Sequence, residues 1–156
     1  MNINKFTQKS MEAVQNCEKL AYEFGNQEID QEHLLKSLID QEDGLILKLI
    51  EKMEINTAHF SNRVTEYLNK KVKVQGGDLR ISNDLNKVLI TAEDEAKAMG
   101  DEYVSVEHLF LSLLKYPNKA MKELFKEYGI TRDRFLTALS TVRGNQRVTS
   151  DNPEAT

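Results

Sequence analysis

The side chains that could carry catalysis are few and poorly grouped. None of the three histidines, His33, His59 and His108, has a second histidine at metal-ligand spacing, and Cys17 is the single cysteine. A zinc site needs three or four such ligands, and a nucleophilic thiol needs a neighbouring base. His33 and His108 both fall in the first turn of a predicted helix. This position favours a repeated structural contact over general acid–base chemistry.

The remaining chemical patterns point away from an enzyme. Cys17 aligns with Ala92 in an internal repeat, which indicates a small buried position. The acidic runs 42–43 and 93–95 lack the spacing of a glycosidase pair and are typical of solvated helix faces. No glycine-rich loop is followed by a lysine, so the sequence predicts no nucleotide site. Among the function classes an enzyme therefore ranks last.

One set of polar residues occurs twice. Thr7 and Glu32 are each followed 75 positions later by a residue of similar chemistry, Ser82 and Glu107. Each hydroxyl lies at the start of a predicted helix, and each carboxylate lies near the start of the next. The structural interpretation is two N-caps and two acids placed favourably on helix dipoles. The functional interpretation is a pair of polar sites that hold a main-chain amide or a cationic group of a peptide.

These residues belong to two copies of one repeat. At an offset of 75 positions the copies match without a gap, mostly at apolar or glycine positions. The matched pairs include Glu32-His33-Leu34 with Glu107-His108-Leu109, Ser37-Leu38 with Ser112-Leu113, Gly25 with Gly100, and Phe60 with Phe135. Repetition at such positions indicates that a packing scheme is repeated.

Within each copy the apolar period is helical. First helices are predicted to stop at Gly25 and Gly100. The later helices are predicted at about 30–41, 44–54 and 57–68, and at about 105–115, 118–128 and 132–143. Asp30 and Ser105 are the predicted N-caps of the second helices, and the apolar residues around them form hydrophobic staples. We therefore predict an all-α fold of about eight helices, in two four-helix repeats related by a pseudo-two-fold axis.

The boundaries follow from this helical pattern. The domain is predicted to span 1–144, with repeat one at about 6–68, a polar linker at 69–80, and repeat two at about 81–143. The linker contains Lys70-Lys71-Val72-Lys73, which we interpret as a solvated connector. Residues 145–156 are polar and aperiodic, which is typical of a linker toward a further module.

Composition excludes other classes of partner. The net charge is −4 and no strongly basic segment exists, so nothing favours nucleic-acid binding. The N-terminus lacks the apolar core of a signal peptide, and no apolar run approaches the length of a membrane span. We expect a cytoplasmic protein without a membrane or nucleic-acid partner.

The double repeat, with its motifs Asp30-Gln31-Glu32-His33-Leu34-Leu35 and Ser105-Val106-Glu107-His108-Leu109-Phe110, resembles the N-terminal repeat domain of the Clp ATPases over essentially the whole chain. Gly76-Gly77-Asp78-Leu79 and the segment from Val142 to Glu154 are similar to the ClpB-type branch. That resemblance implies the substrate-binding domain of an ATP-driven, homohexameric disaggregating chaperone. Such chaperones extract unfolded or aggregated polypeptides with a DnaK-type system and thread them through a central pore.

The same resemblance implies that this domain is a mobile, non-catalytic unit, expected to be a monomer when isolated. It holds no cofactor, since ATP and Mg²⁺ bind the ATPase modules of the parent protein. Thr7, Asp101 and Glu107 correspond to the family's substrate-binding polar residues. Leu89 matches one apolar position of a groove between the repeats, whereas Glu95 and His108 stand where some relatives have leucine.

A sister branch supplies the alternative function. ClpC-type proteins resemble this chain at Thr7, Glu32, Ser82 and Glu107, where they recognise phosphorylated arginine. The alternative is therefore an adaptor-binding or phosphoarginine-binding domain of a protease-associated unfoldase. The segment after Val142 favours the ClpB-type branch.

Overall fold

The structure is a computed structural model that describes residues 2–144, 148, 149 and 151. Within this described part the chain forms eight α-helices, as predicted, with very little strand. They are α1 (Gln8–Glu23), α2 (Gln31–Ile39), α3 (Leu45–Lys52), α4 (Thr57–Asn69), α5 (Asn83–Ala98), α6 (Val106–Lys115), α7 (Lys119–Tyr128) and α8 (Arg132–Arg143). The all-α class predicted from periodicity is confirmed.

Local sequence rules start and stop these helices. The side-chain oxygens of Thr7, Asn56, Ser82 and Thr131 each accept a hydrogen bond from the backbone N–H three residues later. This is the N-cap interaction, and it satisfies a donor that the helix itself leaves unpaired. Gly25 lies just after α1 with φ 70°, a left-handed conformation that glycine adopts at little cost.

The repeats meet through two equivalent short bridges. Phe6, before α1, pairs with Val104, before α6. The residues at the equivalent positions, Ile81 and Ile29, pair in a two-stranded parallel ladder of β1 (Glu28–Ile29) and β2 (Arg80–Ile81). Each first helix therefore begins beside the second helix of the other repeat. This reciprocal arrangement is the one expected of a pseudo-two-fold relation between the repeats.

The core extends across both repeats. Helices α2 and α3 of the first repeat contact α5, α6 and α8 of the second. Within repeat two, the ring of Phe110 stacks on Phe135, with ring centroids 4.5 Å apart, and lies 5.8 Å from Phe125. Apart from Leu20 and Val148, the buried apolar side chains of the described residues belong to one connected cluster. No helix in the described ranges is long and apolar enough to cross a bilayer.

The linker between the repeats is less solvated than predicted. Lys70 and Lys73 are exposed, but the side chain of Lys71 is only 20% exposed. Its ammonium lies 2.7 Å from a carboxylate oxygen of Glu32 and 3.3 Å from one of Asp30. The interpretation of the lysine cluster as a solvated connector is therefore wrong at Lys71. Two carboxylates that are distant in sequence attract this ammonium to the domain.

Candidate functional site

The pseudo-two-fold relation places the start of the first helix of each repeat against the other repeat. The backbone N–H of Thr7, in repeat one, donates to Val104 O of repeat two at 2.9 Å. The N–H of Ser82, in repeat two, donates to Ile29 O of repeat one, also at 2.9 Å. Each helix start is therefore bonded to the residue that precedes the N-cap of the second helix in the opposite repeat. We call the two composite clusters the Thr7 site (Thr7, Asp101, Ser105, Glu107, Arg143) and the Ser82 site (Ser82, Asp30, Glu32, Lys71, Asn118).

Thr7 itself is buried and makes the local contacts of an N-cap. Its Oγ1 accepts from the Ser10 N–H at 3.2 Å and lies 3.0 Å from Ser10 Oγ. Ser10 Oγ in turn donates to Val104 O at 2.7 Å. These bonds tie the start of α1 to the residue that precedes Ser105, the N-cap of α6.

Asp101 lies at the centre of the Thr7 site. One carboxylate oxygen accepts from the Arg143 guanidinium and, at 2.8 Å, from the Val148 N–H. The other oxygen accepts from His108 Nε2 at 2.7 Å. Burial raises the pKa of Asp101, but the hydrogen bonds from Arg143, Val148 and His108 outweigh burial and hold that pKa below its ordinary value. Asp101 is therefore ionised and interacts with a cation and with main chain.

Glu107 lies beside Asp101 in the same site. It accepts a hydrogen bond from Ser105 Oγ, and Arg143 Nη1 lies 3.6 Å from its second oxygen. Its residue exposure is 4%. Arg143 therefore bridges both carboxylates, and the site is an acidic pair matched by one guanidinium from the end of α8.

Residues near the end of the described chain complete the Thr7 site. Val148 O accepts from the N–H groups of Glu102 and Tyr103 at 2.8 and 3.3 Å. Asp151 O accepts from the Gln8 N–H, in the first turn of α1, at 2.6 Å. The prediction of a linker over 145–156 lies mostly outside the described residues. Of those that are described, Val148 and Asp151 bond to the domain, whereas Thr149 is exposed.

The Ser82 site has similar logic but different residues. Ser82 Oγ accepts from the Leu85 N–H at 2.9 Å and donates to Asp30 Oδ1 at 2.8 Å. Glu32, 4% exposed, is bound by Lys71 Nζ and by Asn118 Nδ2, each at 2.7 Å. The carboxylates of this site are thus paired with an ammonium and with a side-chain amide.

Charge explains the pKa shifts in the Ser82 site. Burial raises the pKa of Asp30, but the Gln31 N–H and the Lys71 ammonium outweigh it and lower that pKa. Burial lowers the pKa of Lys71, but Glu32 and Asp30 outweigh it and raise that pKa. Both shifts favour the charged forms, as expected for a buried pair with additional hydrogen bonds.

The apolar position predicted for a groove lies inside the protein. Leu89 is 2% exposed and belongs to the connected core. Glu95, also buried, is held by Arg132 through two bonds of 3.0 and 2.7 Å.

Cys17 is buried with its thiol directed at Ala13 O, and burial raises its pKa to about 12. Such a thiol stays protonated and inert, as expected for a structural cysteine.

Sequence reasoning found the hydroxyls and acids but missed the cations. Arg143 and Lys71 are not equivalent under the 75-residue offset, so the repeat gave no signal for either. The polar contacts suit amides and guanidinium or ammonium groups rather than a metal ion. Among the described residues no cluster of three potential metal ligands occurs.

Comparison with known proteins agrees with this architecture. A family model described as the Clp repeat (R) N-terminal domain matches residues 5–128. The chain is 41% identical over 162 residues to the ClpB chaperone of Nitratidesulfovibrio vulgaris, covering all of this chain and 19% of that protein. It is 38% identical over 161 residues to ClpB of Bacillus anthracis, covering all of this chain and 18% of that protein. The chain thus spans about a fifth of the length of the curated relatives it matches.

A solved structure matches closely as well. The Hsp104 N-terminal domain from Candida albicans superimposes with a TM-score of 0.82 at 27% sequence identity. The match covers 94% of this chain and 97% of that domain.

Proposed function

The chain belongs to the Clp repeat N-terminal domain family, and from this membership we propose that it captures unfolded or aggregated polypeptides for a ClpB-type chaperone. Domains of this family are non-catalytic parts of chaperones. The wider proposal covers the parent protein. In this proposal the parent protein is a cytoplasmic homohexamer that binds ATP and Mg²⁺ in other modules, cooperates with a DnaK-type system, and threads the captured chain.

One observation carries the proposal for this domain. In the Thr7 site the carboxylates of Asp101 and Glu107 share the guanidinium of Arg143, and the start of α1 is bonded to the main chain three residues before Glu107. The partners of these carboxylates include a guanidinium and a main-chain N–H; every unfolded polypeptide offers main-chain N–H groups, and one that contains arginine also offers a guanidinium. Recognition of main chain does not depend on client sequence, as a disaggregating chaperone requires. Binding is expected to be weak, because ordering a flexible client costs free energy.

A second candidate function is supported by the Ser82 site. Lys71 places an ammonium directly against Glu32, beside the hydroxyl of Ser82. A phosphorylated arginine presents both a guanidinium, which suits Glu32, and a phosphoryl group, which suits Lys71. The alternative is therefore an adaptor-binding or phosphoarginine-binding domain of ClpC type.

The test compares affinity and stability on the same samples. Thr7→Ala, Asp101→Ala and Glu107→Ala are expected to weaken binding of a denatured, fluorescently labelled protein several-fold. Glu107→Ala is the informative variant, because the Arg143–Asp101 pair stays in place without it. If Glu107 were only a partner of the helix dipole, its loss would cost about 0.3–1 kcal/mol of stability and leave binding unchanged. Asp94→Ala removes an exposed acid from α5 and serves as the control.

Two measurements decide the outcome. Fluorescence anisotropy gives client affinity, and thermal unfolding followed by circular dichroism gives stability. A lowered thermal midpoint with unchanged client affinity in Glu107→Ala would overturn the assignment. A phosphoarginine peptide and a folded adaptor, titrated in parallel, separate the two candidates. Binding of either in place of the denatured protein supports the ClpC-type function.

A further inference from the structure

We propose that the chain's own residues Val148, Thr149 and Asp151, here called the strap, occupy the Thr7 site as an internal ligand that a client must displace. This inference rests on the proposed function, since it concerns how the same site becomes available. It makes client capture at this site a competition between two polypeptides, one of them tethered to the domain.

The strap makes the contacts of a bound peptide. Val148 donates its N–H to the Asp101 carboxylate at 2.8 Å, and its carbonyl accepts from Glu102 and Tyr103. Val148 is 4% exposed, whereas the next residue, Thr149, is exposed. The side chain of Val148 is directed inward and that of Thr149 outward, and the main chain of the inward residue is hydrogen-bonded. An extended peptide docks on a protein in this way.

The strap also reaches the helix start. The first N–H groups of a helix have no partner within it and are donors for ligands. In α1 the N–H of Gln8 is such a donor, and it is taken by Asp151 O at 2.6 Å. The donor that would hold a client carbonyl at this position is therefore already in use.

Charge completes the occupation. The guanidinium of Arg143 binds Asp101 and lies 3.6 Å from Glu107. A basic client side chain thus meets a carboxylate pair that is already matched by an internal cation. Guanidinium, amide N–H and amide carbonyl, the three kinds of group that the site suits, are all supplied by this chain.

Burial of an apolar side chain distinguishes the Thr7 site, because beside the Ser82 site Val72 of the linker pairs only its main chain, with Val72 O accepting from Asn26 Nδ2 at 3.1 Å. At the Ser82 site the residue equivalent to Val148 is Lys73, which is exposed. There the acids are bound by the side chains of Lys71 and Asn118. In the described segments that follow α4 and α8, the apolar residue that is both buried and paired through its main chain at such a site is Val148, at the Thr7 site.

Such an occupant lowers apparent affinity without blocking the site permanently. When the binding-competent form is a fraction of the population, the apparent Kd equals the intrinsic Kd divided by that fraction. Removing the strap should therefore tighten client binding by the reciprocal of the open fraction. The contacts with client remain intact, because none of Thr7, Asp101 or Glu107 is altered.

The experiment uses the full chain with two matched substitutions. Val148→Asp places a carboxylate at a buried position that is bonded through its main chain to Asp101, and like charges repel. Thr149→Asp adds the same charge one residue later, at an exposed position, and serves as the control. Val148→Pro is a second release variant, because proline has no N–H to donate to Asp101.

Two measurements are made on each variant. Hydrogen exchange followed by NMR at the Glu102 and Tyr103 amides reports whether the strap has left. Anisotropy with a labelled, denatured protein as probe reports affinity. In Val148→Asp and Val148→Pro we expect faster exchange at both amides and binding at least about threefold tighter than wild type. Thr149→Asp should match wild type in both measurements.

The outcomes separate this inference from the proposed function. Faster exchange with unchanged client affinity in both Val148 variants would overturn the internal-ligand proposal while leaving client capture intact. Unchanged exchange in both variants would also overturn it, since the strap contacts would then not depend on Val148. Absence of client binding in every variant and in wild type would instead count against the proposed function.

Discussion

At the residue scale, two histidines act as parts of helix caps. His33 Nδ1 accepts from the Asp30 N–H at 2.9 Å, and His108 Nδ1 accepts from the Ser105 N–H at 2.8 Å. A capping box normally uses glutamate or glutamine at this third position. Because Nδ1 accepts, the ring proton lies on Nε2, which donates to Asn26 in one repeat and to Asp101 in the other. The sequence-based preference for a repeated structural contact over catalysis agrees with this geometry.

These caps make stability sensitive to acid. Burial and the Lys71 ammonium lower the pKa of His33 to about 4 in the folded protein, against about 6.5 when unfolded. Below about pH 6.5 the unfolded chain therefore binds more protons, and stability falls as pH falls toward the folded pKa. We expect a loss of about 2 kcal/mol between about pH 7 and about pH 5. Burial also lowers the pKa of His108, which adds a loss of the same sign.

The measurement is urea unfolding at several pH values above 4.5, where the carboxylates of Asp30 and Asp101 remain ionised. His33→Gln keeps a side-chain acceptor for the cap but has no titrating group, so its stability should depend less on pH than that of wild type. His59→Gln removes an exposed histidine and serves as the control. If stability depends on pH as steeply in His33→Gln as in wild type, the buried neutral ring of His33 is not the source of the acid sensitivity.

At the scale of elements, helix starts could be predicted from sequence because their causes are local. The caps Asp30 and Ser105, and the hydroxyls of Thr7 and Ser82, lie where the pattern indicated. Lys71 was misjudged because its partners lie 39 and 41 positions away, beyond any local pattern. The contacts between the start of one repeat's first helix and the other repeat are also long-range. Sequence patterns could therefore indicate them only through the symmetry of the two repeats.

Gln31, at the start of α2, shows how such long-range contacts join the elements. Its amide nitrogen donates to Asp84 O at 3.1 Å and to Tyr116 O at 2.8 Å. Its amide oxygen accepts from the Asn118 N–H at 2.8 Å. One fully buried residue thus links α2 of repeat one with two segments of repeat two, α5 and the turn between α6 and α7. The equivalent residue, Val106, is apolar, so the internal repeat does not reveal this role.

Replacing this amide should weaken the contact between repeats. Gln31→Leu is expected to lower the free energy of unfolding by about 1–3 kcal/mol, because it removes the partner of three part-buried backbone groups. Urea unfolding monitored by circular dichroism measures the change. Gln15→Leu makes the same substitution at an exposed position of α1 and should cost little. A loss equal to that of the control would show that water replaces the Gln31 bonds.

At the scale of the whole molecule, the two repeats behave as one packing unit. The bridge between Phe6 and Val104 and the β1–β2 ladder both cross between repeats, and the apolar cluster is continuous through both. Sequence periodicity predicted two four-helix repeats, and these are present. The boundaries of the repeats at about 6–68 and 81–143 remain predictions from the sequence. They do not imply that either repeat folds independently. Each half alone would expose the face that the other half covers.

We therefore expect residues 1–72 to be unstable in isolation. A chain of that length has a marginal core even when complete, and this one would lose the partners of Phe6, Ile29 and Gln31 together. The fragment should show poor amide dispersion by NMR and a broad, weakly cooperative thermal transition, whereas the full chain should unfold sharply. Addition of a fragment of residues 73–156 should restore dispersion, because the missing face is returned. A sharp transition and dispersed spectrum for 1–72 alone would mean that the first repeat holds its own core, and that the contacts between repeats position the two sites without being required for folding.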